Sequence, residues 1–166
     1  MEPKIYVACL AAYNNGILHG AYIDATLHPD DMLDLIGEML EKSPIEGAEE
    51  WEIHDYDGFD CIRIDRWEDL QQVHDIACFL VEHEELGTEL LKKFGGNVEE
   101  AKQLMDEKHI GEFDSLEDYA EQFTNDCYNL PEFIAYYIDF KDMGRDLADD
   151  LIKIELDGCV HLFHKE

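Results

Sequence analysis

Five aspartates near the C-terminus could together present a row of negative charge. They are Asp139, Asp142, Asp146, Asp149 and Asp150. If residues 139–150 form a helix, a turn of ~100° per residue places all five carboxylates within an arc of roughly 100°. The row would extend ~16 Å at ~1.5 Å per residue, with charges spaced almost as closely as the phosphates of one DNA strand, ~3.4 Å apart. The spacing therefore predicts a surface that imitates a phosphate backbone.

The predicted helix would be stabilised poorly by its own charges. Like charges three or four residues apart each destabilise a helix by about 0.2–0.5 kcal/mol, and Asp149 and Asp150 in the last turn oppose the helix dipole. Lys141 and Arg145 lie outside the arc, so we expect them not to neutralise the row. The pattern indicates a role in binding rather than in stability.

Eight further carboxylates are predicted to extend this binding surface. They are Glu49, Glu50, Asp55, Asp57, Asp60, Asp114, Glu117 and Asp118. Residues 55–58 are predicted to form a turn, and an acidic turn suggests a calcium loop. With Gly58 at the sixth position of an EF-hand, Ile53 and Ile64 would occupy the first and twelfth, where acidic ligands are required. The EF-hand interpretation fails, which leaves a solvated acidic turn, a loose cation site or part of a mimic surface.

Motifs for catalysis or metal binding are weak. Cys159, His161 and His164 have the spacing C-x-H-x-x-H, but on one strand His164 would point away from the other two, so zinc would need a bend and another ligand. The sequence has no HExxH motif, no glycine-rich phosphate loop and no GxSxG motif. We predict no catalytic residue, no metal, no cofactor and no enzyme activity.

The net charge is −29, from 41 acidic and 12 basic residues. Residues 1–61, 62–103 and 104–166 carry −12, −5 and −12, so no segment is basic and direct nucleic-acid binding is disfavoured. At one charge per ~1.7 Å, a duplex of about 50 Å carries as much charge, and a compact chain of this length measures ~40 Å across. Acidity that serves only solubility or high salt is the alternative.

Cysteine usage and hydropathy favour the cytoplasm. The five cysteines, Cys9, Cys61, Cys78, Cys127 and Cys159, are widely spread without a CxxC pair, as expected of reduced thiols that mostly lie in the core. The apolar run 5–12 is too short to span a membrane. We therefore expect an intracellular protein with no membrane partner.

In the N-terminal part, strands are predicted over residues 4–11 and 17–25, joined as a hairpin by the turn signal Asn14-Asn15-Gly16. Pro29 is predicted to open an amphipathic helix to about Lys42. Its predicted buried face is Met32, Leu33, Leu35, Ile36, Met39 and Leu40. A third strand is predicted over residues 50–55.

The middle of the chain is predicted to be helical. Asp65 and Glu68 fit a capping box that opens a helix to about Glu84 with Trp67 on its apolar face. A second helix, over residues 88–94, is expected to stop at Gly95-Gly96, the best candidate hinge. Asn97 is predicted to cap a third helix.

The C-terminal part is predicted to combine helices with strands. Residues 110–113 are expected to be extended, and Ser115 with Asp118 is expected to start a helix to about Tyr128. Residues 152–156 and 159–163, joined by Asp157-Gly158, predict a hairpin.

Residues 132–140 are richer in aromatic side chains than a short segment in a small subdomain can easily bury. We predict core positions for Phe133 and Ile134, and a dimer contact that involves Tyr137 and Phe140. The whole pattern predicts an α+β fold, an elongated chain of three small subdomains at residues 1–61, 62–103 and 104–166.

Three segments resemble the ArdA antirestriction proteins of conjugative plasmids and transposons. They are residues 5–25 (IYVACLAAYNNGILHGAYIDA), 49–59 (EEWEIHDYDGF) and 136–156, which contains the acidic row. The resemblance implies a non-enzymatic DNA mimic, active as a homodimer, that inhibits type I restriction-modification enzymes through their specificity and methyltransferase subunits. An acidic chaperone for basic proteins, a divalent-cation-binding protein and a small hydrolase are the alternatives.

Overall fold

The computed structural model describes residues 2–60 and 62–165. The chain forms two compact units, an N-terminal unit (Met1–Val98) and a C-terminal unit (Glu99–Glu166). Each unit contains a three-stranded antiparallel sheet together with helices, which confirms the α+β prediction. The boundary between the units lies close to the predicted glycine pair. The division into three subdomains stays a prediction, and its first boundary, at Cys61, lies outside the described residues.

The N-terminal unit is organised around its first strand, the middle of a sheet with the order β2-β1-β3. Strand β1 buries Ile5, Val7, Ala8 and Cys9, as expected of a central strand covered by other elements. The elements are β1 (Lys4–Cys9), α1 (Leu10–Asn14), β2 (Gly20–Asp24), α2 (Pro29–Glu41), β3 (Trp51–Asp57) and α3 (Leu70–Lys93).

The connection between β1 and β2 differs from the predicted tight turn. The two strands do pair antiparallel, with Ala8 opposite Gly20, but helix α1 follows β1 directly. The sulfur of Cys9 caps this helix by accepting from the Ala12 N–H at 3.5 Å. Gly16 takes a φ of +73° just after the helix, so the glycine ends a helix instead of closing a hairpin.

Helix α2 buries a narrower face than its sequence predicts. Met32, Ile36 and Met39 are buried, whereas Leu33 and Leu35 are 48% and 40% exposed. Because the three buried residues are four and three positions apart, they form a single stripe along the helix. The prediction that Leu33 and Leu35 belong to the buried face is therefore wrong.

Strand β3 continues through the residues predicted to form a turn. Asp55 and Asp57 pair with Tyr6 and Lys4 of β1, and the chain turns only at Gly58, whose φ is +77°. The cross-strand pairing extends the strand beyond the point where its composition becomes polar. Both carboxylates thus lie on the sheet, which corrects the acidic-turn interpretation.

Helix α3 begins later than the predicted capping box. Asp69 caps it by accepting from the Gln71 N–H at 2.7 Å, so Trp67 precedes the helix and is 67% exposed instead of buried on its face. Glu84 has non-helical φ and ψ of 47° and −127°, which confirms a break at the predicted residue. Gly95 and Gly96 both have positive φ after the helix.

The C-terminal unit has a sheet with the order β4-β6-β5. The two-residue turn Asp157-Gly158, with φ of 48° and 88°, joins Leu156 to its partner Cys159, and this confirms the predicted hairpin. The elements are α4 (Val98–Lys108), β4 (His109–Phe113), α5 (Leu116–Cys127), α6 (Glu132–Ala135), α7 (Phe140–Ala148), β5 (Leu151–Leu156) and β6 (Cys159–His164).

A small core holds helices α5 and α7 against this sheet. Tyr119, Val160 and Leu162 are buried together, and Leu147 and Leu151 pack against them. The two helices approach closely at Gly144, since a Cβ on it would lie 2.6 Å from the carbonyl carbon of Leu116. The lack of a side chain at Gly144 lets α7 approach the first turn of α5.

The aromatic segment before α7 lies largely on the surface. Phe133 and Ile134 are 69% and 39% exposed, and Tyr136 and Tyr137 are more exposed still. The prediction that Phe133 and Ile134 are core residues is wrong for the single chain, because α6 has only four residues and none of them is buried.

The cysteines are less buried than expected. The described cysteines are all free, and among them only Cys9 is buried, while Cys127 is exposed. Cys61 lies outside the described residues. Within the described part of the chain, every helix is too short or too polar to cross a membrane.

Candidate functional site

Helix α7 carries only the middle of the predicted aspartate row. Asp139 precedes the helix and caps it by accepting from the Asp142 N–H at 3.0 Å. Asp149 and Asp150 follow the helix, because β5 begins at Leu151 and its pairing with β6 leaves no space for a longer helix. All five aspartates are exposed. The five aspartates follow one another along an exposed segment of the chain. The prediction that they form a stripe on one helix is wrong.

One basic residue does contact the row. Arg145 forms an ion pair with Asp142, three positions earlier, so the expectation that Arg145 lies too far round is wrong. The two side chains are 64% and 62% exposed, and water screens such a pair strongly. Among the described residues, no ion pair or side-chain hydrogen bond engages the carboxylates of Asp146, Asp149 and Asp150. Ion pairs therefore offset the second half of the row less than the first.

A second group of carboxylates lies at the start of α5. Ser115 caps this helix by accepting from the Asp118 N–H at 3.1 Å, as predicted. Glu117 and Asp118 occupy the first turn, where carboxylates stabilise the positive end of the helix dipole. Because Gly144 brings the first turn of α5 against α7, the predicted surface residues of both helices belong to one packed pair.

The acidic environment of the C-terminal unit affects a nearby thiol. Asp114 accepts a weak hydrogen bond from the Sγ of Cys159 at 3.8 Å. Hydrogen bonding to Glu112, partial burial and the charges of Glu112 and Asp114 together raise the pKa of the Cys159 thiol above its usual value. Negative charge on this surface therefore opposes formation of the thiolate.

The predicted carboxylates of the N-terminal unit have more partners. Asp57 forms an ion pair with Lys4 at 3.5 Å, and Asp55 accepts from the Tyr22 hydroxyl at 3.3 Å. Partial desolvation and the charge of Asp55 raise the pKa of Tyr22. A further carboxylate, Asp60, accepts from the Thr88 hydroxyl at 2.7 Å. These aspartates remain exposed, but each is held by the fold.

Two further predicted carboxylates, Glu49 and Glu50, precede β3 and line a groove with Trp51 and Trp67. Sequence reasoning missed this groove because it placed Trp67 on a buried helix face. The signal was present: each tryptophan adjoins a pair of acidic residues, in the sequences Glu-Glu-Trp and Trp-Glu-Asp.

A buried carboxylate in the same unit was also missed. Glu52 is 4% exposed, lies 2.6 Å from the His54 ring and 3.6 Å from the Arg66 guanidinium. A buried carboxylate needs such partners, so the contacts with His54 and Arg66 explain how Glu52 can be buried in β3. Its burial could not be read from the sequence, since the neighbouring Ile53 is buried as well.

The predicted dimer-contact residues differ in exposure. Tyr137 is 80% exposed and meets Tyr136 edge to face, with ring centroids 5.4 Å apart. Phe140 is half-buried at the start of α7. Among the residues that the structure describes, no group of three or more His, Cys, Asp or Glu side chains is arranged to hold a metal ion.

Both units are strongly acidic. Residues 1–98 contain 22 acidic and 6 basic residues, and residues 99–166 contain 19 and 6. All thirteen carboxylates predicted to form the binding surface are exposed. The fold and the surface define an acidic α+β protein that displays carboxylates to solvent in both of its units.

Comparison with protein families identifies the family of the chain. A model of the antirestriction protein ArdA matches residues 5–158, which is nearly the whole chain. The chain therefore belongs to the ArdA antirestriction family. No curated protein matches it.

Proposed function

We propose that this member of the ArdA family is a DNA mimic that inhibits type I restriction-modification enzymes in the cytoplasm. Its carboxylates occupy the basic groove that would otherwise hold DNA, on the specificity and methyltransferase subunits. The protein makes and breaks no bond in this role. The same charge disfavours direct binding to nucleic acid, because the protein and the nucleic acid are both negative.

The exposure of all thirteen predicted carboxylates on a chain of net charge −29 carries this proposal. Exposed acidic residues are ordinary on protein surfaces, but here few basic residues accompany them. Among the residues that the structure describes, the contact of a basic side chain with Asp146, Asp149 or Asp150 is the hydrogen bond that Lys165 donates to the main-chain oxygen of Asp149. The segment that these aspartates form can take the place of phosphates against lysines and arginines.

A homodimer is part of the proposal. Phe133, Tyr136 and Tyr137 expose 69%, 85% and 80% of their surface, more aromatic surface than a short segment normally leaves in water. A dimer contact at Tyr137 and Phe140 would cover part of it. The dimer would carry twice the charge of the chain and could fill a longer groove than one chain can.

Competition for DNA tests the proposal. A purified type I methyltransferase is bound to a fluorescently labelled duplex that contains its target site, and this protein is titrated in at two salt concentrations. We expect stoichiometric displacement of the duplex that weakens as salt rises, because screening shortens the range of the charges. Polyglutamate of equal total charge is the matched control and should displace the duplex less well, since its charges are not held in place.

Three results would contradict the proposal. The folded protein could fail to displace the duplex at low salt, polyglutamate could compete equally well, or histones could bind the protein more tightly than the methyltransferase does. The last result would favour an acidic chaperone for basic proteins.

A further inference from the structure

A groove in the N-terminal unit is lined by both tryptophans of the chain, Trp51 and Trp67. Its volume is about 610 Å³, within the range of roughly 300–1,000 Å³ that ligand sites have. Leu10 and Leu33 add apolar surface from α1 and α2. Trp67 and Leu33 are 67% and 48% exposed, so the groove presents large apolar side chains to solvent.

Four of the residues that line this groove are acidic. They are Glu49, Glu50, Glu68 and Asp69, of which Asp69 also caps α3. None of the described residues that line the groove is a lysine or an arginine. The neighbouring Arg66 lies 3.6 Å from the buried Glu52 and is engaged there. The lining therefore combines acidic residues with large apolar side chains.

Charge complementarity restricts what this groove can bind. A second copy of this chain offers no basic segment to pair with these carboxylates, because each part of the chain is acidic, and a nucleic acid or an anionic lipid surface would be repelled. A cationic polypeptide is attracted, and its lysines or arginines could also stack on Trp67. Tryptophan is among the residues that contribute most to protein–protein binding when they become covered.

We propose that this groove binds a basic peptide segment of a partner protein. An apolar side chain of the segment contacts Trp51, Trp67 and Leu33, and flanking lysines or arginines pair with the acidic residues of the lining. The proposal goes beyond the proposed function, with whose surface the groove shares Glu49 and Glu50. A DNA mimic needs charge but no apolar groove, and a partner other than a restriction enzyme could supply the segment.

Intrinsic fluorescence of the full chain tests this directly, because both tryptophans line the groove. The probe is a synthetic peptide with a central leucine flanked by three lysines or arginines on each side, and without tryptophan. We expect a saturable change in tryptophan emission. Replacing the leucine of the peptide by serine should weaken binding about tenfold, since one apolar contact is lost.

Matched variants separate the groove from the general negative field. The triple change Glu49→Gln, Glu50→Gln and Glu68→Gln should weaken binding of the leucine peptide about tenfold. The control triple Glu41→Gln, Glu82→Gln and Glu85→Gln removes equal charge from residues that do not line the groove, and it should change binding less than threefold. Circular dichroism verifies that both variants fold.

Two outcomes would overturn the proposal. Equal affinity for the leucine and serine peptides would show that only the overall charge attracts them. A stronger response to a peptide whose lysines and arginines are all replaced by glutamine would show that the groove takes a neutral apolar ligand instead. DNA competition is measured separately, so either outcome leaves the DNA-mimic proposal to its own test.

Discussion

The two units carry similar charge but hold it in different ways. In the N-terminal unit, Asp55, Asp57 and Asp60 each contact a side chain from another element. In the C-terminal unit, Asp139 caps α7 and Asp142 pairs with Arg145 of the same helix. The carboxylates that follow in the row are exposed to solvent. In a sheet, side chains on neighbouring strands can bind a carboxylate and hold it in place. In the turn after a short helix, few side chains lie close enough to do so. The C-terminal unit is thus the better candidate for a surface that binds by charge.

Two helical glycines provide the largest contrast between the units. Gly144→Ala should lower the free energy of unfolding by about 3 kcal/mol, because the new Cβ would lie 2.6 Å from the Leu116 carbonyl carbon and would force α7 away from α5. Urea denaturation measures this loss.

Gly37→Ala in α2 is the matched control. Nothing lies within 4 Å of a Cβ at Gly37, and alanine is a better helix former than glycine, so this change should raise stability by about 0.5–1 kcal/mol. Destabilisation of both variants by the same amount would argue against the close approach of α5 and α7.

Neutralising the C-terminal carboxylates should reduce inhibition the most. The quadruple change Asp142→Asn, Asp146→Asn, Asp149→Asn and Asp150→Asn should weaken competition with DNA about 30-fold, if each exposed carboxylate contributes a modest share. The measurement is the concentration of each variant that displaces half of the labelled duplex.

An equal number of carboxylates from the N-terminal unit sharpens this comparison. Changing Glu50, Asp55, Asp57 and Asp60 to their amides should weaken competition less, because Lys4 already offsets Asp57. A larger loss from this set than from the C-terminal set would reverse our assignment. Neutralising Glu99, Asp106, Glu121 and Asp126 controls for net charge alone.

The helix caps should show equal effects in both units. Asp139→Ala removes the side chain that accepts from the Asp142 N–H, and it should lower stability by about 1 kcal/mol. Asp69→Ala removes the corresponding cap of α3 and should act alike. Asp139→Asn keeps the capping hydrogen bond but removes the charge. Unfolding curves of the three variants therefore distinguish the effect of the lost hydrogen bond on stability from the effect of the lost charge. An unchanged stability of Asp139→Ala would show that α7 does not need its cap.

The smallest expected effect is on the reactivity of Cys159. Because Glu112 and Asp114 raise the pKa of its thiol, less thiolate is present at a given pH and alkylation is slow. Glu112→Gln should lower this pKa and speed alkylation at mildly alkaline pH, as followed by mass spectrometry of the peptide that contains Cys159. An unchanged rate would mean that the local negative potential is weaker than the geometry indicates.

Local signals in the sequence predicted several elements well. Pro29 before an apolar stripe predicts α2, Ser115 predicts the start of α5, and Asp157-Gly158 predicts the last hairpin. Each of these signals acts through backbone groups a few residues away, so no distant contact is needed to specify it.

Boundaries and exposure could not be predicted in the same way. The capping box of Asp65 and Glu68 predicts a helix that starts at Asp65, whereas Asp69 caps α3, because the residues after Asp65 form a turn in which the Glu68 N–H donates to the Asp65 carbonyl at 3.0 Å. Trp67 and Phe133 were expected to be buried and are exposed, since an apolar side chain does not reveal whether a neighbouring element is present to cover it.

The charge, the α+β class and the position of the aspartate row are predictable from the sequence, because composition and short-range patterns specify them. How the row is divided depends instead on tertiary contacts. The pairing of β5 with β6 ends the helix before Asp149, and Arg145 reaches Asp142. The tryptophan groove likewise depends on contacts between distant segments, since β3 and the start of α3 must meet for Trp51 and Trp67 to line one site.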